Sequence, residues 1–134
     1  HKSKEKNIRL QTKITDSENE YCWINAPLLE QALINLIDNA IKYSETSSEI
    51  NIHYHMEKNH FKIAVEDQGP GIHHSHIPRI FERFYVVDKA RNIKQGGTGL
   101  GLSIVKYIAQ LHKGDVTVQS TPGQGSSFDL IIPR

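Results

Sequence analysis

The stretch from Leu28 to Tyr43 constrains the fold more than any other segment. Leu29, Leu33, Leu36, Ile37 and Ala40 recur at spacings of three and four. A helix gathers them on one face and turns Gln31, Asn35, Asp38, Asn39 and Lys42 to the other. Such a helix is stable only when its apolar stripe is covered by another element. Asn25-Ala26-Pro27 marks its start, with a capping side chain followed by a proline that the first turn tolerates.

Period-two segments supply the cover. Ile50, Ile52, Tyr54 and Met56 alternate with Asn51, His53 and His55, and Phe61, Ile63 and Val65 follow after the Glu57–His60 turn. Val116 and Val118, then Phe128, Leu130 and Ile132, predict a second hairpin around Thr121-Pro122-Gly123-Gln124-Gly125. Ile8, Leu10 and Gln11 to Ile14, then Cys22 to Ile24, read as two short strands around the acidic turn Asp16 to Glu20. Ile77 to Phe84 reads as a short helix and Tyr85 to Thr98 as a mobile loop. Gly101 to Lys113 is a second amphipathic helix, with Ile104, Val105, Ile108 and Leu111 inward and Gly114 as its stop. His1 to Lys6 reads as the end of a linker from an upstream domain. Together these segments predict one α+β domain over 1–134, a two-layer α/β sandwich of helices on one face of a mixed, mostly antiparallel sheet.

Charge and length narrow the functional classes. The 134 residues carry a net charge of +1, so nothing favours nucleic acid or an anionic membrane as partner. No apolar run approaches the roughly 20 residues of a membrane span. Cys22 is the one cysteine, which excludes an internal disulfide.

Three groups of residues carry chemistry. Asn35, Asp38, Asn39, Lys42 and Tyr43 share the polar stripe of the first helix. An amide oxygen there suits Mg²⁺, Lys42 suits phosphate, and the Tyr43 ring suits a nucleoside. A solvated polar face has the same pattern. In Asp67-Gln68-Gly69-Pro70-Gly71-Ile72, the aspartate sits at the far end of an apolar row. A buried carboxylate needs a hydrogen-bond partner, such as the amino group of adenine, and glycines let backbone approach a ligand. A turn capped by an aspartate has the same sequence. Gly96-Gly97-Thr98-Gly99-Leu100-Gly101-Leu102 opens a helix, where free amides favour phosphate, although a merely flexible loop looks alike. His73, His74 and His76, with His53 and His55, are compatible with surface positions or, for the first three, with a metal site.

In this order, the groups resemble the GHKL superfamily of ATP-binding domains, and within it the histidine-kinase branch. Asn35-Leu36-Ile37-Asp38-Asn39-Ala40-Ile41-Lys42-Tyr43-Ser44 resembles the N box and Asp67-Gln68-Gly69-Pro70-Gly71-Ile72 the G1 box. Ile80-Phe81-Glu82-Arg83-Phe84-Tyr85 resembles the F box and Gly97-Thr98-Gly99-Leu100-Gly101-Leu102 the G2 box. The resemblance implies the Bergerat fold, with about three helices on the sheet.

It also implies roles. Asn39, with Asn35 nearby, should ligand Mg²⁺. Lys42 should reach phosphate, Tyr43 should pack near the nucleoside, and Asp67 should bind the adenine amino group. Gly69, Gly71 and Ile72 should shape the base pocket. Phe81 and Phe84 should anchor the base of a lid. Thr98, Gly99, Leu100, Gly101 and Leu102 should offer amides to the phosphates. Asn35, Lys42 and Arg83 are the candidate catalytic residues. One departure stands out: Val86 replaces the arginine that histidine kinases often carry after the F-box tyrosine, leaving Arg83, Lys89 or Arg91 to neutralise phosphate.

Hydrolytic relatives of the gyrase, chaperone and mismatch-repair type carry a glutamate where this chain has Asn35. An amide is no general base at neutral pH, so transfer to another group is favoured over hydrolysis. The expected activity is histidine phosphorylation from ATP and Mg²⁺, within a two-component system. The alternatives are a serine kinase of anti-sigma type or a degenerate nucleotide-binding scaffold. No histidine lies in an H-box-like motif, so the acceptor is expected on an upstream helical hairpin. This chain alone should then bind ATP without phosphorylating itself. The resemblance further implies a response regulator downstream, a monomeric fragment of a homodimeric parent, and a cytoplasmic domain whose parent is membrane-attached.

Overall fold

In the computed structural model, which describes residues 9–15, 23–89 and 97–134, the Asn25 side chain accepts the Leu28 amide at 3.2 Å and starts helix α1, Ala26–Tyr43. Leu29, Ala32, Leu36, Ala40 and Ile41 are its buried residues. The helix ends at Ser44, whose buried hydroxyl donates back to the Ala40 carbonyl at 2.6 Å.

Among the described residues, five strands form one sheet: β1 Arg9–Thr15, β2 Glu49–Met56, β3 His60–Asp67, β4 Asp115–Thr121 and β5 Gly125–Pro133. Their spatial order is β1-β2-β3-β5-β4. Only the β1–β2 pair is parallel; the other three pairs are antiparallel, so the sheet is mixed and mostly antiparallel as expected. The register lines up the apolar rows. Ile52 faces Val65, Val65 faces Phe128, and Phe128 faces Val118; Ile63 faces Leu130, and Leu130 faces Val116. One sheet face is thus apolar across the strands, and α1 and α2 (Gly101–Leu111) pack there around a single core.

Several expectations are corrected. Trp23 and Ile24 form no strand, and Trp23 is almost fully exposed. Strand β1 instead finds its partner in β2, with Arg9 opposite Glu49 and Thr15 opposite His55. The region Ile77 to Phe84 is a 3₁₀ turn over Ile77–Arg79 followed by further turns. Pro78 lacks a backbone donor, the bonds that form run to the third residue back (Arg79 to His76, Glu82 to Arg79), and Phe84 turns to φ 66. In α2 the buried residues are Val105, Ile108 and Ala109, while Ile104 and Leu111 are exposed. That helix carries apolar residues on more than one arc, so period alone leaves its phase open. Packing selects the arc containing small Ala109, beside α1. At its end Lys113 takes the left-handed conformation (φ 60), and Gly114 is needed for space: a Cβ there would lie 2.0 Å from the Ile131 carbonyl oxygen. Among the described residues there are two α-helices and one 3₁₀ turn, and Lys89 is helical as well. The linker His1–Lys6, the turn Asp16–Glu20, Cys22, Arg91 and Gly96 lie outside the described residues.

A cleft between α1, the β3 turn and the start of α2

The polar stripe of α1 borders a cleft of about 570 Å³. Asn35, Asp38, Asn39, Lys42 and Tyr43 line one side, because spacings of three and four keep them in register while their helix buries its opposite face. Asp67, Ser126 and Phe128 also line it, as do Gly71, Ile72, Val86, Thr98, Gly99, Gly101 and Leu102.

Asp67 is 9% exposed at the end of β3. Its Oδ1 accepts the Gly69 amide at 2.9 Å. Burial pushes its carboxyl above the usual carboxylate range, and the Gly69 and Ser126 amides pull it partly back. The site therefore holds an acceptor whose desolvation is only partly compensated, which suits a ligand donor. Gly71 has φ 76, and a Cβ there would lie 2.3 Å from the Thr121 carbonyl oxygen, so side chains are excluded on both counts.

The two asparagines differ. Asn35 Oδ1 accepts from Gln31 at 2.8 Å, and its amide donates to the Gly101 carbonyl at 3.3 Å, so Asn35 ties α1 to the first residue of α2. Among the described residues, none provides a side-chain partner for Asn39. Lys42 Nζ stands 5.2 Å from the centre of the Tyr43 ring.

The start of α2 is open. A Cβ on Gly101 would meet nothing within 4 Å. First-turn amides of a helix have no acceptor of their own within it, and the helix dipole favours anions there. Gly99 (φ 75) accepts the Phe84 amide at 2.8 Å, and a Cβ on it would lie 2.9 Å from Phe84 Cα. Backbone, not the Phe84 ring, thus joins this loop to the Phe81–Tyr85 segment: the ring is exposed and outside the cleft, while Phe81 packs edge-on against Phe128 at 6.2 Å.

Other expected residues lie outside the cleft lining. Gly69 is packed against the end of α1, where a Cβ would lie 2.5 Å from the Tyr43 carbonyl oxygen. Leu100 is the residue before α2. Arg83 is exposed with its guanidinium 5.5 Å from the Phe84 ring, and exposed Lys89 also falls outside the lining. Among the described residues, Lys42 is the one lysine or arginine that lines the cleft. Sequence reasoning missed Ser126, Phe128 and Pro122 as lining residues, since the β3–β5 pairing that sets Ser126 opposite Asp67 has no local signature. It also missed His76 and Tyr85, which line the cleft and bond each other through Nδ1 and the phenol hydroxyl.

Among the described residues no group of histidines, cysteines and carboxylates could hold a metal ion, so the His73, His74 and His76 metal site is not supported. His73 bonds Ser75 at 2.8 Å, His53 faces Glu66 at 3.5 Å, and His55 and His60 flank Glu57 at 3.2 and 3.0 Å. Nor is any helix among the described residues long and apolar enough to cross a membrane.

Known proteins are similar to this chain in sequence and in fold. Residues 24–134 match the family described as histidine kinase-, DNA gyrase B- and HSP90-like ATPases. The chain is 47% identical over 107 residues to the sensor-like histidine kinase SenX3 of Mycolicibacterium smegmatis, covering 80% of this chain and 28% of that protein. It is 46% identical over 116 residues to the sensor histidine kinase YkoH of Bacillus subtilis, covering 87% of this chain and 25% of that one. The chain thus spans about a quarter of the length of these curated relatives. Among solved structures, the catalytic domain of the histidine kinase ThkA superposes with a TM-score of 0.82 at 28% identity, covering 98% of this chain and 84% of that one. Full-length ShkA in complex with AMPPNP superposes with a TM-score of 0.84 at 28% identity, covering 98% of this chain and 27% of that one.

Proposed function

Because the chain belongs to the family of histidine kinase-, DNA gyrase B- and HSP90-like ATPases, we propose that it is the ATP-binding catalytic domain of a two-component sensor histidine kinase, which passes the γ-phosphoryl group of ATP to a histidine on an upstream helical domain. The observation that carries the reading is the convergence on one cleft of the α1 polar stripe, the buried Asp67 and the open start of α2. The ShkA complex with AMPPNP supports nucleotide as the occupant.

Each side chain then has a task. Asp67 accepts a hydrogen bond from the base, and Ile72 and Tyr43 give it apolar walls. The first-turn amides of α2, with Thr98 and Gly99 before it, hold the phosphates, and Lys42 adds a positive charge. Asn39 fits Mg²⁺ through its side-chain oxygen, which no described residue engages; the ion would neutralise phosphate charge when bound. Asn35 fits a structural strut better than a metal ligand, because both ends of its amide are engaged within the fold. An amide at 35 also leaves water without a general base there, which favours transfer over hydrolysis. With Arg83 outside the cleft lining, neutralisation among the described residues falls to Lys42, joined by the metal and the partner domain.

The upstream hairpin, a response regulator, a homodimeric parent and membrane attachment of that parent belong to the same proposal. The test supplies the helical domain of a relative in trans with radiolabelled ATP and Mg²⁺. Acid-labile label on that domain is expected. Acid-stable label would favour the serine-kinase alternative, and steady phosphate release by the chain alone would favour a hydrolase.

A further inference from the structure

The β4–β5 turn, which the sequence presents as a plain connection, is docked on the Asp67–Ile72 turn. The Gly123 amide donates to the Pro70 carbonyl at 2.7 Å, and the Ile72 amide donates to the Ser120 hydroxyl at 2.7 Å. Contact is close enough that a Cβ on Gly125 would lie 2.1 Å from the Asp67 carbonyl oxygen. Pro122 and Ser126 carry this hairpin into the cleft lining.

Ser120 joins these parts. Besides receiving the Ile72 amide, its Oγ lies 3.1 Å from the Gly125 carbonyl oxygen and 2.8 Å from the Ser126 hydroxyl. A serine hydroxyl has one proton and two acceptor sites. One acceptor site is taken by Ile72, so the proton and the second site serve Gly125 and Ser126. Ser120 is outside the cleft lining, yet it holds two residues that line it, and Ser126 stands directly across the strand pair from Asp67.

We infer that Ser120 is a positioning residue for nucleobase selection: its hydroxyl fixes the Ile72 amide and the Ser126 hydroxyl around Asp67, so that the cleft takes a 6-aminopurine and rejects a 6-oxopurine. This deepens the ATP reading and rests on it. Asp67, when ionised, only accepts, so it rewards an amino group at purine position 6 and repels a carbonyl oxygen. That selection is sharp only while the neighbouring hydroxyl cannot rotate to satisfy the carbonyl. Without Ser120, the Ser126 hydroxyl is free to turn and the Ile72 amide loses its acceptor.

The experiment titrates ATP and ITP into the wild-type chain, Ser120→Ala and Ser120→Thr by calorimetry, with thermal unfolding of each nucleotide-free protein. The wild type is expected to prefer ATP. Ser120→Ala should shrink the ATP-to-ITP affinity ratio by about tenfold, the size of one lost buried hydrogen-bond discrimination. Ser120→Thr, which keeps the hydroxyl, should restore it. A purely structural role would lower the melting temperature and weaken both nucleotides equally, leaving the ratio at the wild-type value; that result overturns the inference. If Ser120→Ala does not fold, Ser120→Cys, whose thiol is a weak donor and acceptor and holds both partners less firmly, should shrink the ratio in the same direction, and an unchanged ratio there overturns it too. A wild type that binds neither nucleotide overturns the ATP reading and this inference with it. A wild type that binds ATP and ITP equally overturns the inference alone.

Discussion

Replacing Asp67 by asparagine separates what the carboxylate costs the fold from what it contributes to a ligand. Asp67 is 9% exposed and accepts the Gly69 amide at 2.9 Å. Burial raises its proton affinity in the folded state, against the opposing pull of the Gly69 and Ser126 amides. The folded protein therefore holds a proton more tightly than the unfolded chain, whose carboxylate has the ordinary value of 3.8. Stability from this group is fully present below that value and is lost as pH rises through the raised folded value. The asparagine variant has no such proton, so its stability curve should lack that decline. At neutral pH the relief of desolvation opposes the weaker hydrogen bonds, and net stability should change by no more than about 1 kcal/mol. Nucleotide binding should respond differently. A hydrogen bond to a charged, buried acceptor contributes about 1.5–3 kcal/mol, so ATP should bind roughly ten- to a hundredfold more weakly. Urea unfolding at a series of pH values, with ATP calorimetry at neutral pH, measures both. Parallel stability curves for wild type and variant, or an unchanged ATP affinity, would refute the reasoning.

Three further perturbations address other parts of the cleft. Gly71→Ala places a Cβ 2.3 Å from the Thr121 carbonyl oxygen at φ 76; the strain should lower stability by about 2 kcal/mol or more, read as a lower urea midpoint. Asn39→Ala should abolish the Mg²⁺-dependent part of ATP affinity while leaving the melting temperature of the free protein near wild type; an undiminished Mg²⁺ effect removes its assigned role. Val86→Arg adds a cation at a cleft-lining position where Lys42 is the lone lysine or arginine among the described residues. It should speed labelling of a helical partner domain several-fold with little change in ATP affinity, and an unaltered rate counts against the charge argument.

The site was legible in the sequence wherever it depends on a period. Asn35, Asp38, Asn39 and Lys42 share a stripe because a helix repeats every 3.6 residues, and they meet at one cleft wall. Asp67 stood out because it continues a buried period-two row as its polar member. Arg83 shows where such reasoning stops. It sits in a recognisable motif, but Phe84 takes φ 66 and the guanidinium lies over the exposed Phe84 ring, outside the cleft. A backbone turn of that kind follows from the Phe84–Gly99 contact across the loop, not from residue type.

By itself the sequence determined the helix faces, the two hairpins, the buried aspartate and the glycine-opened helix start, since each is set by local spacing and steric freedom. The tertiary structure decided the phase of α2, the parallel seating of β1 on β2, and the assembly of one cleft wall from Asp67, Pro122 and Ser126, which Ser120 ties together from behind. The physical reason is range. Periodicity reports which side of an element is apolar, whereas the Ser120 link and the β3–β5 register join residues 48 to 73 apart in the chain, and only close packing selects those partners.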